Sequence, residues 1–123
     1  MRGPSTSTPS EPLRGRALGP FGESVAARFL EGRGARIVGR NVRVGHGELD
    51  LVVDVEGSLV AVEVKTVAAG RLGVEPLDRL DARQLEGLRR AMAAHRPAIR
   101  RLDAVGVVVG PGGVQVRWVP EVG

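Results

Sequence analysis

The sequence predicts an α/β domain: a mixed five-stranded sheet flanked by helices, in the order α-β-β-β-α-β-β. Three observations carry this. Two stretches, roughly 21–32 and 81–95, place apolar residues at helical spacing. Five shorter runs are rich in Val, Ile and Leu. The runs come as three, then a helix, then two. Short turns between neighbouring runs make hairpins, whereas a helix between the third and fourth makes a crossover, so the strands run in mixed directions.

A chain of 123 residues is long enough for one domain with a real core. We expect that domain at residues 17–123. Residues 1–16 are rich in Pro, Ser, Thr, Gly and Arg, with Leu13 as the one large aliphatic side chain, and read as a disordered tail. Hydrophobic residues make up 42% and charged residues 26%, as in ordinary globular proteins. There is no cysteine, which removes disulfides and thiolate metal sites. No apolar run approaches the ~20 residues of a membrane span, and the N-terminus lacks a signal-peptide core. The expected location is the cytoplasm. Aromatic content of 2% is too low for a base-stacking platform. The net charge of +4 is half on the first sixteen residues, so the body is only mildly basic. That balance is compatible with a nucleic-acid partner.

The first helix, Phe21 to about Gly32, carries Val25, Ala26, Phe29 and Leu30 on one arc. Glu23 falls inside this arc, between Leu30 and Ala27. It reads either as a first-turn carboxylate on the free N–H groups or as a carboxylate aimed at the sheet. The first strand, Ala35–Val44, is interrupted near Gly39. Gly45-His46-Gly47 is a turn of hairpin length, with His46 exposed. Glu48–Val55 is the second strand. Alternation puts Leu49, Leu51, Val53 and Val55 on one face and Glu48, Asp50, Val52 and Asp54 on the other.

In the third strand, Leu59–Val67, both faces are largely apolar, so it should be central and covered on both sides. Residues 68–76 read as a loop. The second helix opens at Asp81, with Gln84 three residues later as in a capping box. Leu85, Leu88 and Met92 form its apolar stripe. Arg89, Arg90, Arg96, Arg100 and Arg101 read as a solvated face or as phosphate contacts. Leu102–Val109 and Val114–Val119 are the last two strands, and Trp118 reads as a packing residue.

One constellation stands out. Lys65 is the chain's only lysine, among seventeen arginines. It lies in an apolar strand, and by parity Glu63 points the same way. Asp50 lies in the neighbouring strand. Charges on such strands cost several kcal/mol unless they pair or hold a metal. Asp50 and Glu63 offer hard oxygen ligands, with the Val64 carbonyl as a further one. Mg²⁺ takes one or two carboxylates and keeps waters and phosphate oxygens in its shell. A compact cation such as Lys65 suits the positioning of an attacking water. A structural salt bridge would explain Lys65 and one acid, but less readily Asp50, Glu63 and Glu23 together.

These residues resemble the PD-(D/E)XK nuclease superfamily, with its restriction-endonuclease-like fold. Asp50 stands at its Asp, and Glu63-Val64-Lys65 at its (D/E)-X-K. The chain looks more closely like the YraN-like bacterial family, which is similar to archaeal Holliday-junction resolvases. The matching segments are Gly22-Glu23 with Ala26-Ala27, Arg40-Asn41, Gly47-Glu48-Leu49-Asp50-Leu51, Val62-Glu63-Val64-Lys65-Thr66 and Leu102-Asp103-Ala104-Val105. The resemblance implies Mg²⁺- or Mn²⁺-dependent hydrolysis of DNA phosphodiesters, on branched or junction DNA in repair or recombination. It implies Asp50 and Glu63 as metal ligands, Lys65 as the water-positioning residue and Glu23 as a helix-borne acid completing the site. Glu48 is a further acid. Expected nucleic-acid contacts are Arg40, Arg71, Arg83 and Gln84. Cutting both strands of a duplex would suit a homodimer. The alternative is a nuclease-fold module without turnover that binds nucleic acid or a protein partner.

Overall fold

The structure is a computed structural model that describes residues 17–69 and 75–122. The expected tail and Arg71 lie outside the described residues. The elements are α1 (Leu18–Gly32), β1 (Arg36–Val44), β2 (Gly47–Val55), β3 (Ser58–Ala68), a short 3₁₀ turn (Pro76–Arg79), α2 (Ala82–Ala94), β4 (Arg101–Gly110) and β5 (Gly113–Val119). This is the predicted order. The sheet runs β1-β2-β3-β4-β5, with β3 central. All neighbouring pairs are antiparallel except β3 and β4, which α2 joins as a parallel crossover.

α1 begins at Leu18, three residues before the apolar spacing predicts. Pro20 is tolerated there because first-turn N–H groups have no partner inside a helix. At α2 the expected cap forms: the Gln84 N–H donates to the Asp81 carboxylate at 2.8 Å. The 3₁₀ turn Pro76–Arg79 was not expected. It packs on Gly106, where a side chain would meet Leu77 at 3.3 Å and Pro76 at 3.4 Å. Among the described residues no helix is long and apolar enough to cross a membrane.

Each face of the sheet has its own core. α1 buries Ala26, Ala27 and Leu30 against Leu51, Val53, Val60, Val62, Val64, Val105 and Val107. α2 buries Ala91 and Met92 against Leu49, Val52, Ala61 and Leu102. Gly22 sets how closely α1 sits: a Cβ there would clash with the Thr66 side chain of β3.

The face assignment of β2 needs one correction. Strict alternation puts Leu49 with Leu51 and Val53, yet Leu49 belongs to the α2 core. β1 follows it, because Val42, paired with Leu49, packs on the α2 core, whereas Arg40 is paired with Leu51 of the α1 core. The change falls at Asn41, whose φ of 48° is left-handed. Asparagine tolerates this region better than most residues. Register is kept across it, with Arg40 opposite Leu51 and Val42 opposite Leu49. The far end of the β1–β2 hairpin therefore turns over toward α2. A Cβ on Gly47 would lie 3.2 Å from the Ala91 Cβ, so the hairpin tip rests on that helix.

Candidate active site

Turning the hairpin over splits the sheet. The β2–β3 ladder stops at the pair Leu51–Val62. Just past it, the Val64 N–H donates to the Asp50 carboxylate at 2.9 Å instead of to a backbone carbonyl. Asp50 thus sits in the fork between two strands, beside Glu63. The expected proximity of these two acids holds, but a strand fork produces it as much as side-chain parity does.

Parity does place Glu63 and Lys65. Val60, Val62 and Val64 face α1, so Glu63 and Lys65 face the α2 side. Lys65 Nζ lies 3.4 Å from Glu63 Oε2, and their side chains are only 17% and 13% exposed. Lys65 has a second partner. With its amide oriented to satisfy both ends, Gln84 accepts from Lys65 Nζ at 3.1 Å and donates to the Arg79 carbonyl at 2.7 Å. This explains the missing half of the capping box, because the Gln84 side chain is engaged at the site.

Glu23 reaches the fork from α1, on the turn that Gly22 seats against Thr66. Its Oε1 accepts from Asn41 Nδ2 at 3.1 Å. Of the two readings of Glu23, the sheet-facing one is correct. In the sequence Asn41 figures only within the Arg40-Asn41 segment. Its role combines a left-handed backbone with a partner eighteen positions away, and local sequence signals neither.

The electrostatics follow from the crowding. Burial pushes the Asp50 carboxyl up from its ordinary 3.8 to about 7, and the Glu63 carboxylate adds to this. The Val64 N–H and Lys65 oppose the rise. Burial also raises Glu23; its Asn41 bond opposes this, while Asp50 and Glu48 add to it. Glu48 is exposed and lines the same cleft as Asp50 and Glu63.

No three His, Cys, Asp or Glu side chains among the described residues group as a metal cage. The donor set is instead two carboxylates with neighbouring acids, all hard oxygens. That set fits a cation such as Mg²⁺, which takes few protein ligands and keeps waters, and fits thiolate- or imidazole-seeking metals poorly.

The expected nucleic-acid contacts separate. Gln84 is at the site. Arg40 is exposed on β1, next to Asn41. Arg83 lies with Arg89 along a shallow hollow on α2, outside the cleft that holds Asp50 and Glu63. The arginines near the end of α2 are partly engaged within the chain. Arg101 pairs with Asp103, Arg96 donates to the Ala93 carbonyl at 2.8 Å, and Arg89 donates to the Val122 carbonyl at 3.4 Å.

Comparison with known proteins finds the model of a family described as uncharacterised protein family UPF0102 matching residues 22–107. That span takes in Glu23, Asn41, Asp50, Glu63, Lys65 and Gln84. A UPF0102 protein of Symbiobacterium thermophilum is 41% identical over 103 residues, covering 80% of this chain and 87% of the relative. One of Parafrankia is 42% identical over 96 residues, covering 73% and 80%. One of Marinobacter nauticus is 38% identical over 112 residues, covering 85% and 89%.

Proposed function

The chain belongs to the uncharacterised protein family UPF0102, and we propose that it is a Mg²⁺-dependent endonuclease that hydrolyses DNA phosphodiester bonds. One observation carries this reading: Asp50 and Glu63 are held together in a strand fork beside the chain's only lysine. Burying two adjacent carboxylates is unfavourable by itself, and a divalent cation reverses the sign of that interaction. Asp50, Glu63 and the Val64 carbonyl would hold the ion, with Glu23 and Glu48 nearby. When bound, such an ion supplies an activated water and offsets charge on phosphate oxygens.

The protein's own contribution is positional. Gln84 and Glu63 hold the Lys65 ammonium beside the carboxylates. From there Lys65 orients the attacking water and neutralises a phosphate oxygen. Asn41 keeps Glu23 turned toward Asp50. The reading carries with it a cytoplasmic location and a role in repair or recombination, with branched DNA among the substrates.

The test is cleavage of plasmid and four-way-junction DNA with Mg²⁺ or Mn²⁺. We expect Asp50→Ala and Lys65→Ala each to lower the rate by about 100-fold or more, the scale of removing one preorganised electrostatic group. Unchanged cleavage in both variants would overturn the assignment. Salt-sensitive DNA binding without cleavage under either metal would favour the rival reading, a nuclease-fold binding module.

A further inference from the structure

The carboxylates form one part of a larger cleft, and the rest of that cleft bears on which DNA can enter. It has a volume of about 520 Å³ and lies between the β1–β2 turn and α2. Its size falls in the ~300–1,000 Å³ range of small-molecule pockets, suited to one nucleotide and not to a duplex. Asp50 and Glu63 line it, and Lys65, paired with Glu63, is 17% exposed. Gly47 and Ala91, which also line it, lie against each other.

The lining is mixed in a way that suits a base and its phosphate. Val44, Leu88 and Ala91 offer apolar contact, and His46 and Arg90 offer donors. No Phe or Trp lines the cleft among the described residues, so apolar packing would take the place of ring stacking.

Gly87 supplies an independent observation. It sits inside α2, where glycine costs roughly 0.5–1 kcal/mol relative to alanine. Neither backbone nor packing requires it: it is not among the positive-φ glycines, and a Cβ there would meet nothing within 4 Å. It does line the cleft. What its missing side chain provides is space in the cleft that Asp50 and Glu63 also line.

We propose that this cleft receives one unpaired nucleotide beside the scissile phosphate, so that the substrate class is single-stranded DNA or an unpaired segment within a branched structure, in preference to continuous duplex. The proposal rests on the nuclease reading for the adjacent carboxylates. A nucleotide within a duplex reaches such a pocket only by unstacking, at a few kcal/mol, which a strand that is already unpaired avoids.

The experiment measures binding of a fluorescent 15-nucleotide single strand and of the matching blunt duplex, in EDTA, by anisotropy. It uses the full-length wild type and Gly87→Leu, with Ala94→Leu as a second way to narrow the cleft if the first does not fold. The expected result is single-strand binding at least tenfold tighter than duplex binding, and a tenfold or greater loss of single-strand affinity in the narrowed variant. Equal or tighter binding of duplex, or unaltered single-strand affinity in the narrowed variant, would overturn the proposal. Hydrolysis of bis(p-nitrophenyl) phosphate by wild type and Asp50→Ala with Mn²⁺ separates the two claims. Asp50-dependent hydrolysis with a duplex preference keeps the nuclease and removes the nucleotide cleft. Single-strand preference lost in the narrowed variant, without Asp50-dependent hydrolysis, does the reverse.

Discussion

Two aspartates on the sheet interior are treated in opposite ways. Asp103, on β4, is fully buried and has four donors. Arg101 Nε and Nη2 reach it at 2.8 and 2.9 Å, Trp118 Nε1 at 2.8 Å and the Glu121 N–H at 2.9 Å. Its charge is matched by a guanidinium and its oxygens are saturated. Asp50, on β2, receives one backbone N–H and faces a second carboxylate. The first arrangement ties the C-terminal segment to the sheet. The second leaves an electrostatic deficit that a cation or a proton can fill. A buried carboxylate is therefore no mark of function by itself; what marks Asp50 is the shortage of partners.

The largest effect should come from breaking the satisfied site. Asp103→Ala leaves Arg101, the Trp118 N–H and the Glu121 N–H without their acceptor. Removing one partner of a buried ion pair costs ~3–5 kcal/mol. Urea unfolding should show that loss, and a change under 1 kcal/mol would mean that the clasp contributes little.

Next comes Asp50→Asn, which should move stability the other way. Asp50's pKa rises on folding from 3.8 to about 7, so the fold favours its protonated form. Its stabilising contribution is complete below about pH 4 and is lost as pH climbs through 7. The asparagine amide keeps an acceptor for the Val64 N–H and does not ionise. In EDTA the variant should therefore exceed wild type by about 1–3 kcal/mol at pH 8 and lose that advantage near pH 4. Thermal melts across this range check it; a variant less stable than wild type at pH 8 would mean that Asp50 is already satisfied without metal.

The smallest effect is expected at Asn41→Gly, which keeps the left-handed backbone and removes the bond to Glu23. Stability should change by no more than about 1 kcal/mol, as for one partly exposed hydrogen bond. Metal-dependent cleavage should fall several-fold. Cleavage at the wild-type rate would separate Glu23 from the site.

The same contrast separates what could be read in the chain from what could not. Glu63 and Lys65 were legible because a charged pair at a spacing of two inside an apolar run must share one face of a strand. Glu23 was legible as a charge inside a helix's apolar arc. Asp103 carries a comparable signal, a lone acid in the run Leu102–Val109, but its saturation by Trp118 and the Glu121 N–H, fifteen and eighteen residues on, has no local signature. Asn41, the turned-over hairpin and the engagement of Gln84 with Lys65 had no local signature.

By itself the sequence determined the element order, the central strand and the side of the sheet that Glu63 and Lys65 share. Periodicity decides these, and periodicity is local. Only the tertiary structure decided that β2 and β3 separate at Asp50, that Gly22 lets Glu23 reach the gap, and that α2 closes a cleft over it. Those outcomes depend on which backbone groups lose their ladder partners when two packed layers meet, and contacts between segments distant in the chain settle that.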